Sequence, residues 1–303
     1  MRFKDLLSSF TLKTVIVKGA SKPLGFSGFA VRGVLYELLK SIDPMLSEEL
    51  HGLKRLAPIS TTPLTFEYRS GGGLKEGSIV SFRITSLLEL LSVKLADYLI
   101  NNPSLSMNIK DAVARLTEVA VSTIEPKKLL ENATPVEFFA VQFRSPTFFR
   151  RSMVTRCCPS CPVPRPKCLR LRRPRRYRYV PFPDPYLMLR SLLRLWRKFT
   201  GVTLNYKEYV EWLLDGGVVA SGYPALKTVR VYEHPTTPKW SVGFKGIVYF
   251  NLPEDTFDDK MARITDALLR FGEYSNVGAN RTAGFGVIRY QPKKQQESRK
   301  AYT

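Results

Sequence analysis

The sequence predicts an α+β protein with two domains of similar organisation. The chain of 303 residues is longer than one typical domain. With 44% hydrophobic and 24% charged residues, it can bury a sizeable core. Strand-like and helix-like segments also occur in the same order in both halves: strand, helix, strand, strand, helix, strand.

The first copy of this order is predicted in residues 1–130. Alternating apolar residues predict its strands, and helical periodicity predicts its helices. Its elements are a strand at 10–18, a helix at 29–42, a hairpin of 59–68 and 78–85 around Gly71-Gly72-Gly73, a helix at 87–100 and a strand at 115–124.

The second copy is predicted in residues 131–291 and is followed by a polar tail at 292–303. Its elements are a strand-rich segment at 136–149, helices at 185–199 and 206–214, a hairpin of 218–232 and 240–251, a helix at 257–271 and a strand at 284–290. Two such units in tandem form a duplication of the ferredoxin-like, RRM-like type.

The charge balance predicts a polyanionic partner. Lysine and arginine total 47 against 26 acidic residues, which gives a formal net charge of +21. Nucleic acid is the first candidate and an anionic membrane surface the second. The longest run without a charged residue, 98–109, is too short for a spanning helix, which excludes an integral membrane protein. Without an apolar run typical of a secretory signal at the start, the sequence predicts a cytoplasmic protein.

More than half of the net charge lies in residues 144–178, which contain twelve Arg or Lys residues and no acid. Prolines interrupt this basic segment, so we expect an extended loop or an irregular hairpin. One alternative is a solvated loop with no fixed partner. Like charges at this density repel one another unless an anion neutralises them, which favours a bound polyanion.

All four cysteines also lie in the basic segment, at Cys157, Cys158, Cys161 and Cys168. Zinc sites usually join two C-x-x-C pairs across a longer spacer, and the second pair is absent here. Free thiols or a local disulfide are therefore favoured over metal binding. We expect no metal and no cofactor.

The chain contains only two histidines, His51 and His234. His51 ends a short helical stretch, 47–52, with Gly52 as the predicted stop residue. The helix dipole stabilises an imidazolium there, as a proton donor requires. The alternative is a simple capping role. His234 lies in a loop-like segment and is interpreted as a surface residue.

Tyr36 stands outside the apolar arc of the first predicted helix. On a helical wheel it falls beside Arg32 and Lys40, one turn away on either side. Two cations favour a phenolate and attract phosphate. The alternative is a solvent-facing tyrosine that lies on its neighbours.

The segment 276–286 surrounds an Asn-Arg-Thr cluster with Gly278, Gly284 and Gly286. Glycines let the backbone approach a phosphodiester closely, and exposed N–H groups can bind its oxygens. The segment follows a helix and precedes a strand, which is the reverse of a Rossmann fingerprint. A plain glycine-rich turn is the alternative.

Several segments together resemble the CRISPR-associated endoribonucleases that cut CRISPR repeat RNA, the sixth Cas family of the RAMP superfamily. The glycine-rich segment resembles the family pattern G-x-G-x5-G-x-G, with Asn276 in place of the first glycine. Residues 50–64 resemble the family's histidine-containing stretch. Residues 143–149 and 181–196 are similar to its middle region, with the basic segment inserted between them.

The resemblance implies two ferredoxin-like domains and a metal-independent cut. The ribose 2′-OH attacks the adjacent phosphorus, which leaves a 2′,3′-cyclic phosphate and a free 5′-OH. It further implies a catalytic set of Tyr36, His51 and a lysine expected near Ala57, for which Lys54 is the first candidate.

The resemblance also implies RNA contacts in three regions. They are Arg32, Lys40 and Arg55 around the catalytic set, Gly278, Asn280, Arg281, Gly284 and Gly286 in the glycine-rich segment, and Arg172, Arg173, Arg175 and Arg176 in the basic segment. Tyr177 and Tyr179 are expected to stack on unpaired bases. CRISPR repeat RNA is the implied partner, effector-complex subunits are further candidates, and either a monomer or a homodimer is expected.

Two competing interpretations remain at this point. The first is a non-catalytic RNA-binding subunit of a CRISPR effector complex, which would not cut repeat RNA. The second is a basic scaffold protein that binds duplexes by charge alone and shows little preference for repeat RNA. The pair Tyr36 and His51 favours the enzyme.

Overall fold

The computed structural model describes residues 6–21, 24–52, 56–67, 73–152, 177–234 and 237–293. For His51 it describes the backbone and not the side chain. Lys54, Arg55, the four cysteines and the arginines at 172, 173, 175 and 176 lie outside the described residues, as do Gly71 and Gly72 of the predicted turn.

The N-terminal domain contains one antiparallel sheet and three helices. Its elements are β1 (Leu7–Lys18), α1 (Gly28–Ile42), α2 (Pro44–Gly52), β2 (Ile59–Thr61), β3 (Thr65–Phe66), β4 (Ile79–Ser86), α3 (Glu89–Asn101), β5 (Ser106–Ile109) and β6 (Ala112–Ile124). The strand order is β2-β4-β1-β6-β5, with β3 also paired to β4. The predicted hairpin is thus two short strands, β2 and β3, that both pair with β4.

Alternation along β1 and periodicity along α1 build the core of this domain. Phe10 and Leu12 of β1 point to the same face and are buried. On α1, the apolar stripe from Val31 to Leu39 is buried against them. The sheet and helix that the sequence predicts are therefore held together by burial of their apolar faces.

The C-terminal domain repeats the plan with a four-stranded sheet. Its elements are α4 (Pro126–Glu131), β7 (Phe138–Thr147), β8 (Phe149–Ser152), β9 (Tyr177–Val180), α5 (Pro185–Phe199), α6 (Tyr206–Leu214), β10 (Val219–His234), β11 (Thr237–Asn251), α7 (Asp259–Ser275) and β12 (Ile288–Lys293), with 3-10 turns at Glu254–Thr256 and Arg281–Ala283. The strand order is β10-β11-β7-β12.

The two sheets share one connectivity. In both, the third strand of the repeat lies between the first and the second, and the fourth lies on the other side of the first. This arrangement confirms the predicted tandem of ferredoxin-like units. The short ribbon β8–β9 is a separate two-stranded sheet that pairs Phe149–Ser152 with Tyr177–Val180. Residues 153–176 lie outside the described residues, so the choice between an extended loop and an irregular hairpin stays a prediction.

Local caps explain why two helices start where the sequence predicts. The carboxylate of Asp184 accepts from the N–H of Leu187, and Pro185 occupies the first turn of α5. The side chain of Asn205 caps α6 in the same way. By contrast, α7 starts at Asp259, later than the predicted residue 257, because Asp258 is the capping residue and its side chain accepts from the N–H of Met261.

Side-chain donors and aromatic rings join the two domains. Ser60, Thr61 and Arg83 of the N-terminal domain donate to main-chain carbonyls of Tyr274, Thr282 and Glu273. Four phenylalanines pack edge to face across the boundary, with ring centroids 4.9 to 5.8 Å apart: Phe26, Phe29, Phe148 and Phe285. The donors and rings fix one domain against the other and create clefts between them.

None of the helices in the described part of the chain is long and apolar enough to cross a membrane.

Candidate active site and nucleic-acid interface

The segment between α7 and β12, residues 276–286, is called here the glycine loop. Three of its residues are glycines with φ near +72°, and two are asparagines with φ near +55°. The asparagines are Asn276 and Asn280. Left-handed backbone is tolerated by Gly and Asn better than by other residues, so the sequence of the loop suits its path.

Each glycine of the loop lies against protein backbone. A Cβ on Gly286 would lie 1.8 Å from the carbonyl oxygen of Val277, and one on Gly278 would lie 2.5 Å from that of Phe148. A Cβ on Gly284 would meet Pro63 of the N-terminal domain. The sequence predicts that this close approach serves RNA. In the structure, protein backbone fills that space, and the N–H groups of the three glycines already donate within the protein, to Ser191, Arg281 and Pro146. A role of the loop in RNA binding therefore depends on its side chains.

Asn276, which departs from the family pattern, ties the loop to the N-terminal domain. Its side chain is 1% exposed, and its Nδ2 donates to the carbonyl oxygens of Thr61 (2.7 Å) and Phe285 (3.2 Å). A glycine at this position could not make these hydrogen bonds. The substitution therefore adds a link between the domains.

Arg281 is buried, which corrects its predicted role as an RNA contact. Its side chain is 6% exposed and donates to the carbonyl oxygens of Ser275 (2.7 Å) and Ala57 (2.5 Å). Burial lowers the pKa of the guanidinium to about 10, so it stays protonated near neutral pH. Arg281 holds the glycine loop against the segment that follows α2. The sequence could not show the contact between Arg281 and Ala57, because the two residues are more than 200 positions apart.

A cleft of about 340 Å³ opens where the glycine loop meets both domains. It is called here the catalytic cleft because Tyr36, a candidate catalytic residue, lines it. From the N-terminal domain it is lined by Tyr36 of α1, Leu50 of α2 and the segment 56–57. From the C-terminal domain it is lined by Phe149, Arg150 and Tyr177 of the β8–β9 ribbon, Leu187, Arg190, Ser191, Arg194 and Leu195 of α5, and Gly278 to Thr282.

The catalytic cleft is cationic. Arg150, Arg190 and Arg194 line it, and none of its described lining residues is acidic. Arg150 donates to the side-chain oxygen of Asn280 (3.2 Å), which places this predicted contact residue at the rim. Arginine groups in this density suit an anion with several oxygens, such as a phosphodiester.

The structure places Tyr36 in the catalytic cleft but corrects its ionisation. The ring is half-buried, and burial raises the pKa of the phenol more than the nearby Arg32 lowers it. The expected phenolate is therefore wrong, and the group is a neutral phenol that can donate a proton. Arg32 lies over the ring of Phe29, with 5.2 Å from its guanidinium carbon to the ring centroid. Lys40 is exposed at the end of α1.

The backbone of His51 lies next to the catalytic cleft. The helix α2 ends at Gly52, as predicted, and His51 follows Leu50, whose side chain lines the cleft. Leu50 is buried in the N-terminal core and anchors the end of the helix. Position 51 and Tyr36 are 15 residues apart in sequence, and the contact of α1 with α2 brings their helices together.

A second cleft, of about 560 Å³, lies between the two sheets. Four cations line it and no described lining residue is acidic: Arg83, Arg144, Arg230 and Lys245. Burial lowers the pKa of Arg83 more than the nearby Glu273 raises it. No local signal in the sequence points to this cleft, because its cations come from four separate strands, β4, β7, β10 and β11.

The described residues contain no group of three His, Cys, Asp or Glu side chains that could hold a metal ion. The prediction for the cysteines falls on residues outside the described part and stays a prediction.

Known proteins support the resemblance that the sequence suggested. Residues 141–288 match the model of the family "CRISPR-associated endoribonuclease Cas6". None of the curated proteins matches the chain.

Solved structures of low sequence identity share the fold of nearly the whole chain. A product complex of Cas6 (TTHB231) from Thermus thermophilus has a TM-score of 0.69 at 23% identity and covers 94% of this chain and 99% of its own. A product complex of Cas6 (TTHA0078) has a TM-score of 0.67 at 23% identity, with 95% and 100% covered. A RAMP protein described as binding different RNA substrates has a TM-score of 0.54 at 15% identity, with 95% and 100% covered.

The fold class is therefore that of these Cas6 and RAMP structures, an α+β tandem of two ferredoxin-like domains. Residues 141–288, just under half of the chain, match the Cas6 family model, and the chain as a whole shares the fold of the Cas6 structures.

Proposed function

We propose that this protein cleaves CRISPR repeat RNA within precursor transcripts to give guide RNAs. The observation that carries the proposal is the catalytic cleft. It joins three arginines, a neutral Tyr36 and the glycine loop beside the end of α2, where His51 stands. The match to the Cas6 family model supports the choice of reaction, and the product complexes of the two similar proteins support an RNA ligand.

The proposed reaction needs two proton transfers and no external nucleophile. The ribose 2′-OH attacks the adjacent phosphorus and loses its proton, while the 5′-oxygen leaves and gains one. His51 carries one transfer, as the base for the 2′-OH or the acid for the leaving oxygen, and the neutral phenol of Tyr36 acts on the other side. The products are a 2′,3′-cyclic phosphate and a free 5′-OH.

Positive charge stabilises the phosphorane that forms during the attack. Lys54 is the first candidate for this role, and Arg150, Arg190 and Arg194 supply the surrounding potential in the catalytic cleft. Arg281, buried beneath the loop, positions the loop and the segment at Ala57. We propose that the cut is metal-independent, because the substrate supplies its own nucleophile and side chains supply the proton transfers.

The test is an assay of purified protein with end-labelled repeat RNA in EDTA. We expect a single cut whose upstream product resists dephosphorylation until the cyclic phosphate is opened. RNA that is bound and left intact would overturn the proposal. That result would favour the alternative function, a non-catalytic RNA-binding subunit. A protein of similar fold is described as a RAMP protein that binds different RNA substrates. Effector-complex subunits as partners, the monomeric or homodimeric state and the cytoplasmic location stay predictions.

Replacing Tyr36 with phenylalanine should slow single-turnover cutting by about 100-fold, because general acid–base groups contribute at least this factor. RNA affinity should change little. Since burial raises the pKa of the phenol, the pH profile of the wild-type cutting rate should show no ionisation of Tyr36 between pH 6 and pH 9. The matched control is Tyr98→Phe on α3, which should cut at the wild-type rate. A rate that Tyr36→Phe leaves unchanged would remove Tyr36 from the mechanism.

Arg194→Gln should weaken binding of repeat RNA and make it less sensitive to salt. Arg194 is exposed and lines the catalytic cleft. Loss of one phosphate contact should reduce the slope of log affinity against log salt by about 0.7 to 0.9. The control is Arg263→Gln on α7, where Arg263 already pairs with Asp259 at 2.8 Å. Equal slopes for both variants and the wild type would show that Arg194 makes no phosphate contact.

A further inference from the structure

An exposed aromatic surface lies beside the catalytic cleft on the C-terminal domain. Tyr177 and Tyr179 of β9 are 47% and 65% exposed, Phe182 is 48% exposed and Tyr223 of β10 is 46% exposed. Tyr177 also lines the cleft. Tyr179 lies on the same face of β9 as Tyr177, and Phe182 follows Tyr179 by three residues, at most about 10 Å along the chain. Exposed aromatic side chains grouped in this way mark an interaction surface.

Phe182 and Tyr223 form an aromatic pair at the far end of this surface. Their ring centroids are 5.7 Å apart, with the planes tilted by 55°. This separation lies in the range of favourable aromatic contacts, and it leaves nearly half of each side chain open to solvent. The pair therefore offers ring surface that the fold itself does not cover.

The backbone holds Phe182 in place before any ligand binds. Pro181 and Pro183 restrict φ on both sides, and the N–H of Asp184 donates to the carbonyl oxygen of Phe182 at 2.9 Å. Asp184 in turn caps α5. An aromatic ring on such a fixed segment loses little conformational entropy when it stacks on a ligand.

An irregularity in β10 presents Tyr223. The register with β11 shifts between Ala220 and Gly222 and again between Gly222 and Ala225. Pro224, next to Tyr223, has no N–H to give to the ladder. Such bulges in a strand re-aim the side chains next to them. Here the ring is turned outward towards Phe182.

The charges around the surface fit a nucleic acid better than a protein. Arg150, which lines the cleft, lies with its guanidinium carbon 5.8 Å from the ring centroid of Tyr179 and pairs with Tyr179 across the ribbon. Arg178 is exposed between the two tyrosines. Alternating rings and guanidinium groups are the arrangement that binds a single strand, since the rings stack on bases and the cations bind phosphates.

We propose that Phe182 and Tyr223 form a stacking site for unpaired RNA bases outside the catalytic cleft. The surface from Tyr177 to Tyr223 then guides the strand that leaves the cleft. This inference rests on the proposed function for the identity of the RNA. The ligand class itself, single-stranded RNA, follows from the rings, the cations and their continuity with the cleft. Stacking is tolerant of sequence, so the site should favour unpaired bases without selecting one of them.

The test measures affinity for repeat RNA that carries one abasic nucleotide at each position in turn, by fluorescence anisotropy. An abasic nucleotide removes a base and keeps its phosphate. At one or two positions we expect wild-type affinity to fall by about tenfold, as loss of one stacked base implies. Phe182→Ala with Tyr223→Ala should lower affinity for intact RNA by a similar factor or more. In this double variant the same abasic positions should have no further effect.

Phe257→Ala is the matched control, because Phe257 is an exposed aromatic residue outside the surface. It should bind as the wild type does. Phe182→Leu is a second variant that keeps an apolar side chain and loses stacking, and it should bind about as weakly as Phe182→Ala. Thermal melting of each variant checks that it is folded.

Three results would overturn the stacking site. They are wild-type affinity in the double variant, full abasic sensitivity in the double variant, and no abasic sensitivity in the wild type. The last result would point to a protein partner for the surface. Failure of the proposed function is a separate result, since a wild type that fails to cut repeat RNA can still show the abasic pattern.

Discussion

His51→Ala is expected to abolish cutting of repeat RNA while affinity for the RNA stays within about twofold. An imidazole that transfers a proton in the transition state contributes about 100- to 10,000-fold, and the described residues that line the catalytic cleft include no other histidine and no carboxylate that could replace it. The phosphate contacts, by contrast, come from arginines that the substitution does not touch. Single-turnover cutting and equilibrium binding measure the two effects separately.

His234→Ala is the matched control, since it removes the other histidine of the chain. The sequence interprets His234 as a surface residue, and its backbone lies at the far end of β10. We expect this variant to cut as the wild type does. Undiminished cutting by His51→Ala would remove the imidazole from the mechanism, and a parallel loss of affinity would assign it to binding.

Gly286→Ala is expected to destabilise the protein and to impair cutting together. The backbone at Gly286 has φ +72°, where a side chain costs about 1–2 kcal/mol, and the new Cβ would lie 1.8 Å from the carbonyl oxygen of Val277. That oxygen belongs to main chain and cannot move without the loop. We expect the free energy of unfolding to fall by about 3 kcal/mol or more, measured by denaturant unfolding.

Gly33→Ala on α1 is the control for this substitution. No atom lies within 4 Å of the added Cβ, and the position is an exposed helix interior, where alanine is favoured by about 1 kcal/mol. This variant should be as stable as the wild type or more so. If Gly286→Ala has the same free energy of unfolding and the same cutting rate as the wild type, the left-handed backbone of the loop has no part in stability or function.

Local signals in the sequence were sufficient for much of the fold. The helices at 185–199 and 206–214 start and end as predicted, because Asp184 and Asn205 are strong capping residues at their starts. The hairpin of β5 and β6 was missed. Its turn contains Lys110 at φ 58°, a residue type that gives no turn signal, and so the short strand before it could not be recognised.

The candidate site could be predicted in part, since Tyr36 and the glycine loop do meet at one cleft. The environment of each group could not be predicted from the sequence. A helical wheel placed Tyr36 outside the core, but in the structure the ring packs against the N-terminal core and is half-buried. Arg281 reads as a surface cation, and only the tertiary packing reveals that its partners are two main-chain carbonyls.

The donors that cross the domain boundary share one kind of acceptor. Asn276, Arg281 and Arg83 each reach a carbonyl oxygen of the backbone across the boundary. Every residue type provides a backbone carbonyl oxygen. Substitution of the accepting residues therefore leaves these hydrogen bonds in place as long as the backbone conformation is unchanged. Such an interface depends on specified donors and on the four packed phenylalanines, whereas the residues that supply only a carbonyl oxygen can diverge in sequence while the two halves keep their mutual orientation.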